Sequence, residues 1–269
     1  MGIHIEEKLH AALSGDRTPK FLATLDAAGR PNCVPVITLT PHGEDTLIFG
    51  EFFMNKSKKN LLENSKVGIA VINSDFVGWS LKGEFLGFET TGEKVEQINH
   101  LPMFRYNAYT SIRAAGTIRI TDVSPLPELG KVQLLSAFVR VRAISPFIRG
   151  RNGQPACMPL RVREKFMRLN AVRAMAFRAA DGVPCAFPVM ACLAAGANRL
   201  VVSDSLFKKY MGVIPANAEM AVSIITMDPI AYQVKGRFAG VHLGMGVVEL
   251  EDCYSASPPL LGERLNPVS

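Results

Sequence analysis

The chain repeats itself, and that limits what it can fold into. Leu22-Ala-Thr-Leu-Asp-Ala-Ala-Gly-Arg-Pro31 lines up with Met175-Ala-Phe-Arg-Ala-Ala-Asp-Gly-Val-Pro184, about 153 positions later. At the same spacing Pro35-Val36 meets Pro188-Val189 and Leu47 meets Leu200. Trp79-Ser-Leu-Lys-Gly-Glu-Phe85 meets Tyr232-Gln-Val-Lys-Gly-Arg-Phe238. Lys58-Lys59 meets Lys208-Lys209 after a small gap. Residues 116–122 then resemble 246–252, with about 23 fewer residues in between. Several such blocks in order mean one supersecondary unit made twice.

Each copy reads as short strands around one helix. In the first, β-rich or alternating runs cover 21–25, 34–40, 46–49, 67–72, 77–88 and 113–123. A turn is expected at 26–30, and its counterpart Asp181-Gly182 is a hairpin signal, because glycine accepts the positive φ of a tight turn. Residues 56–64 have helical character, with Leu61 and Leu62 on one face. Amphipathic helices precede the copies at 5–13 and 161–169. The expected fold is mainly β with short helices, a small barrel built twice. The domains run 1–143 and 159–269, joined by a basic Pro/Gly linker at 144–158.

Composition narrows the classes. With 48% hydrophobic and 20% charged residues, a core is available and wholesale disorder is excluded. The longest apolar stretch, 182–198, is broken by Pro184, Pro188 and Gly196 and falls short of the ~20 residues of a membrane helix. The start of the chain lacks the pattern of a secretory signal, and Glu6 stands where myristoylation wants Ser or Thr. Five cysteines without a CxxC pair make neither a disulfide framework nor a zinc site, so a cytoplasmic setting is expected. No metal is expected, since the histidines show no HExxH spacing, and no GxGxxG is present. The net charge of +6 is uneven: residues 140–178 hold ten cations and one acid, Glu164. That stretch reads as a solvated helix and linker. Nucleic acid is disfavoured as its partner, because few aromatics interleave with the cations.

The ordered set Phe21-Leu-Ala-Thr-Leu-Asp-Ala-Ala-Gly-Arg-Pro31, Pro35-Val36, Leu47-Ile-Phe49, Lys56-Ser-Lys-Lys-Asn-Leu61, Val67-Gly-Ile-Ala-Val71 and Leu81-Lys-Gly83 resembles the FMN-binding split β-barrel family, the pyridoxamine 5'-phosphate oxidase-like flavoproteins. The resemblance covers 21 to about 125, and again 174 to about 254. It implies two tandem split barrels forming a pseudo-dimer within one chain, with a groove for flavin between them. A further homodimer is compatible with it.

A flavin nucleotide needs cations and N–H donors for its phosphate, apolar walls for its ring and a few hydrogen bonds at its polar edge. Asn55, Lys56, Ser57, Lys58 and Asn60 form a basic helix start suited to a dianion. The resemblance assigns the phosphate to Lys56, Ser57 and Lys58, and the ring wall to Pro35, Val36, Ile37 and Thr38. Trp79 sits near the groove in similar proteins, although a lone tryptophan also serves as core. Lys82 and its counterpart Lys235 face either the groove or solvent. The second copy keeps Lys208 and Lys209 after Ser205, but Tyr210 replaces Asn60, and Leu206 and Phe207 replace polar positions. One good flavin site and one weak or lost site are therefore expected. The extra segment at 90–113, with Phe104, Tyr106 and Tyr109, is a candidate cap.

No catalytic side chain is assigned. The expected function is an FMN-dependent oxidoreductase passing hydride or electrons between a nicotinamide donor and a small acceptor. The alternative is a non-catalytic split-barrel binder of flavin, haem or F420.

Overall fold

The computed structural model describes all residues except 1–4, 17, 53, 105–111, 129, 149–155, 204, 229, 258–260 and 266–269. After helix α1 (Glu7–Ser14) come β1 (Lys20–Leu25), β2 (Pro31–Pro35), β3 (Thr40–Pro41) and β4 (Thr46–Gly50). Helix α2 (Asn55–Glu63) leads to β5 (Lys66–Ile72) and β6 (Gly78–Glu89). Helix α3 (Glu93–Asn99) precedes β7 (Ala115–Pro125), and α4 (Lys131–Ile144) and α5 (Leu160–Phe166) follow it. The second set is β8 (Val172–Arg178), β9 (Pro184–Val189), β10 (Cys192–Ala194), β11 (Arg199–Val202), α6 (Ser205–Tyr210), β12 (Glu219–Ile225), β13 (Ala231–His242) and β14 (Met245–Ser255).

The sequence repeat is a structural repeat. The first sheet runs β2-β1-β5-β6-β7-β4-β3, and the second, read from its other edge, runs β9-β8-β12-β13-β14-β11-β10. Even the irregularities recur. Strands β6 and β7 slip register at Lys82/Gly83 and Phe85/Gly87, and β13 and β14 slip at Lys235/Gly236 and Phe238/Gly240. Such bulges bend a sheet toward closure. Gly83 is required there, because a Cβ would lie 2.8 Å from the Arg119 carbonyl oxygen. The opening hairpins match too. Asp26 accepts from the Ala28 and Arg30 amides and Asp181 from the Val183 amide, and Gly29 and Gly182 hold φ of 77° and 76°.

The two barrels pack through small side chains. Ala23, Cys33 and Ala70 of the first meet Ala174, Ala176, Ala186 and Ala221 of the second, with Phe21 among them. Gly68 lies directly against the Pro184 carbonyl, so any side chain there would part the seam. The outer face of the second sheet is covered by α4, through Ala137, Phe138 and Val141 on Leu193, Val201 and Val247. In the first repeat α3 does this, placing Ile98 against Ile48 and Ala115. The extra segment of the first copy and the helix joining the copies thus do the same work. The expected boundary at 143 assigns α4 to the first domain, whereas its buried face rests on the second sheet. The junction expected at 144–158 begins with a 3-10 turn at Ser145–Ile148, and 149–155 lie outside the described residues.

One expected strand is shorter than its apolar run. The 34–40 segment leaves the sheet after Pro35, and the Leu39 amide closes a turn onto Val36. Thr38 therefore sits in a turn, where its hydroxyl accepts from the Gly50 amide at 3.0 Å.

Candidate functional site

A cleft of about 550 Å³ lies where the two repeats meet. Its first wall is Val34, Pro35, Val36, Ile37 and Thr38, at and just beyond the end of β2. Its floor is Met54, Asn55, Lys56 and Ser57, at the start of α2. The second repeat closes it with Ile225, Ala231, Gln233, Tyr254 and Ser255, and the tail adds Ser257 and Leu261. Phe104 stacks on Phe52 at 5.4 Å on the rim, so the extra segment does reach the cleft; Tyr106 and Tyr109 lie outside the described residues.

Among the described residues, Lys56 is the one cation in the lining of this cleft. The Lys235 ammonium, outside the lining, donates to the Pro31 carbonyl at 2.6 Å and lies beside Lys56. Burial, and then the neighbouring Lys56 charge, lower the Lys235 pKa to about 7. Lys56 sits over the Tyr254 ring at 5.3 Å, a cation–π contact across the seam. The first turn of α2 adds amides with no side-chain cap. Buried Ser57 accepts from Asn32 at 3.1 Å, which fixes that turn against β2. Away from this end the walls are largely apolar. A lysine pair beside one end and an apolar slot at the other suit a planar aromatic group with a dianionic tail.

Of the residues expected from sequence, Pro35, Val36, Ile37, Thr38, Asn55, Lys56 and Ser57 line the cleft together. Others stand apart from its lining. Lys58 pairs with Glu51 at 2.8 Å and lies over Phe88. Asn60 is buried and donates to Thr24 at 3.0 Å. Trp79 belongs to the core of the first barrel. Lys82 crosses the seam to Asp181 at 2.5 Å, as Lys235 crosses it to Pro31. Both lysines of the repeated Lys-Gly pair therefore hold the opening hairpin of the opposite repeat. In the second copy Ser205 begins α6, Lys208 is exposed, and Lys209 donates to the Pro125 carbonyl at 2.7 Å.

The equivalent seam of the second repeat is filled. Tyr210, at the position of Asn60, stacks on Phe187 at 4.0 Å with 16° between the rings. Leu126 and Ile72 of the first repeat and Cys185 join the same core cluster. Burial raises the Tyr210 phenol to about 12.

Sequence reasoning missed Asn32, Phe52, Gln233 and Tyr254. Gln233 donates to the Cys33 carbonyl across the seam, and the repeat aligns it with Ser80, a hint that it occupies a seam position. Tyr254 carried no signal, because nothing local in the sequence pairs it with Lys56.

Residues 5–123 match the family model described as pyridoxamine 5'-phosphate oxidase. Among solved structures, an FMN-binding protein from Syntrophomonas wolfei is 21% identical, covering 46% of this chain and 87% of its own, with a TM-score of 0.42. HupZ of Group A Streptococcus is 22% identical over 47% of this chain and 99% of its own, with a TM-score of 0.40. An F420 reductase is 19% identical over 43% of this chain and 95% of its own, with a TM-score of 0.34. A comparison with curated proteins gives no match.

Proposed function

We propose that this chain, a tandem split barrel of the pyridoxamine 5'-phosphate oxidase-like family, binds one flavin mononucleotide in the cleft between its repeats and works as an oxidoreductase. The observation that carries the reading is Lys56 and the open first turn of α2 in the lining of an apolar slot, with Lys235 of the other repeat beside Lys56. Lys56 and Lys235 neutralise the phosphate from opposite repeats, and the α2 amides orient it. Val34, Val36 and Ile37 wall the ring, and Gln233 offers an amide near its edge. The flavin supplies hydride or single-electron chemistry at its ring. The protein's part is to hold that ring, exclude water from one face and leave the rim at Phe52 and Phe104 for a second reactant. A nicotinamide donor and a small acceptor fit this scheme. All five cysteines are free and buried, which suits a reducing cytoplasm.

The absorption spectrum and cofactor stoichiometry of the purified protein test the reading. Flavin bands with one equivalent per chain are expected. A haem Soret band, F420 in place of FMN, two tightly held flavins, or no uptake of added FMN would each overturn it. Bound flavin that no nicotinamide reduces would leave a binder without the activity.

A further inference from the structure

Helix α4 is apolar on both sides. Leu134, Phe138 and Val141 are buried, yet Val132 is 82% exposed and Leu135 and Val139 are more than half exposed. These three stand at helical spacing on one stripe. Phe147, just past the helix, is 84% exposed, and Leu160 at the start of α5 is exposed as well. Between α4 and α5 lies a hollow of about 670 Å³, with Arg142 and Arg163 on its sides and Met167, Ala194 and Ala195 among its apolar lining. Glu164 is the one acid on its rim. Among the described residues, Lys131, Arg142 and Arg163 have no acidic partner.

We propose that the α4–α5 face is a docking surface for an anionic lipid bilayer, with the Arg142–Arg163 hollow seating a headgroup phosphate. An exposed aliphatic stripe beside unpaired cations is the pattern of a segment lying in the membrane interface. Basic residues near such a surface are drawn to acidic headgroups while the apolar side chains enter the acyl boundary. A second copy complements this face poorly, because it would set two halves of a strongly cationic stretch against each other. Nucleic acid would use the arginines but has no use for Val132, Leu135 and Val139. No described helix is long and apolar enough to cross a membrane, so the docking is peripheral. The role is separate from cofactor binding and stands whether or not flavin is held.

The test is cosedimentation of the full chain with phosphatidylcholine vesicles, with and without phosphatidylglycerol. Binding is expected only to the anionic vesicles, weakened by added salt. Val139→Asp and Arg142→Glu are each expected to lower it at least about tenfold. Both side chains are exposed, and an unchanged near-UV circular dichroism spectrum checks that each variant is folded. Failure to cosediment, or equal binding by wild type and both folded variants, overturns the proposal. So does a solution dimer that Val139→Asp dissociates, or duplex DNA binding that Arg142→Glu abolishes without any vesicle binding.

Discussion

Lys56 and Lys235 come from different repeats, and their ammonium groups lie side by side, Lys56 in the cleft lining and Lys235 outside it. Burial, and then the neighbouring Lys56 charge, work against the charged form of Lys235. Its pKa of about 7 lies below the ordinary value of 10.5. Below pH 7 both folded and unfolded states hold this proton, and burial of the charge opposes folding in full. As pH rises from 7, the unfolded chain binds the proton more tightly, so this group's opposition fades. A bound dianion restores the charged form. At pH 8, FMN binding is therefore expected to take up a proton. Calorimetry in two buffers of different ionisation enthalpy measures it, and Lys235→Met removes it. Equal heats in both buffers would contradict the prediction.

The position of Lys56 makes it the stronger of the first-copy cations. Lys56→Ala is expected to weaken FMN binding by about tenfold to a hundredfold, the loss of one charged phosphate contact. Lys58→Ala should cost less, because Lys58 is already paired with Glu51. Lys208→Ala should cost nothing measurable. Fluorescence titration of the apoprotein ranks the three.

Lys20 and Arg173 hold equivalent places at the starts of β1 and β8, and both are buried. Lys20 donates to the Leu13 and Leu39 carbonyls at 2.7 and 2.9 Å. Arg173 donates to the carbonyls of Ala171, Met190, Phe166 and Arg168. Each ties the preceding helix to its barrel. Arg173→Met is expected to cost about 3–5 kcal/mol of stability, since it strands several buried carbonyls, and Lys20→Met about 1–3 kcal/mol. Urea denaturation with both variants gives the order.

Gly68→Val tests the seam itself. The new side chain would meet the Pro184 carbonyl, which belongs to a strand and cannot step aside. A loss of about 2–4 kcal/mol is expected, together with loss of flavin uptake, because the cleft walls come from both barrels. A stable variant that still binds would mean that the barrels close elsewhere.

The buried thiols should draw stability down at high pH. Burial pushes the Cys33, Cys157 and Cys253 thiols to about 12, from an ordinary 9. Between those values the unfolded state has released its protons and the folded state has not, so stability falls as pH climbs above 9. Lys235 acts the other way over this range, so the test is a difference: from pH 8 to pH 10 the melting midpoint of Cys33→Ala should fall less, or rise more, than that of the wild type.

The architecture was legible because repetition is a long-range signal written in local letters. Matching blocks gave matching strands, down to the paired bulges at Lys82 and Lys235. The β2 and α2 residues that line the cleft were read instead from a basic helix start and from the family resemblance. The cleft's other wall was not legible, since Gln233 and Tyr254 meet Lys56 only after two barrels have packed. Lys58 pairs with Glu51 and Trp79 sits inside a barrel, relations that residue type alone does not reveal. Helix α4 escaped notice because Val132, Leu135 and Val139 face outward while Leu134, Phe138 and Val141 face inward. An apolar stripe on each side blurs the period that marks a helix.

The stacked Phe187–Tyr210 pair has a consequence for how such a protein can change. Two identical subunits must carry every substitution twice, so their twin grooves stay alike or fail together. Fusion frees each half to drift alone. Here a stacked aromatic pair braces one seam, while its sibling keeps an open cleft with no mirror image to satisfy.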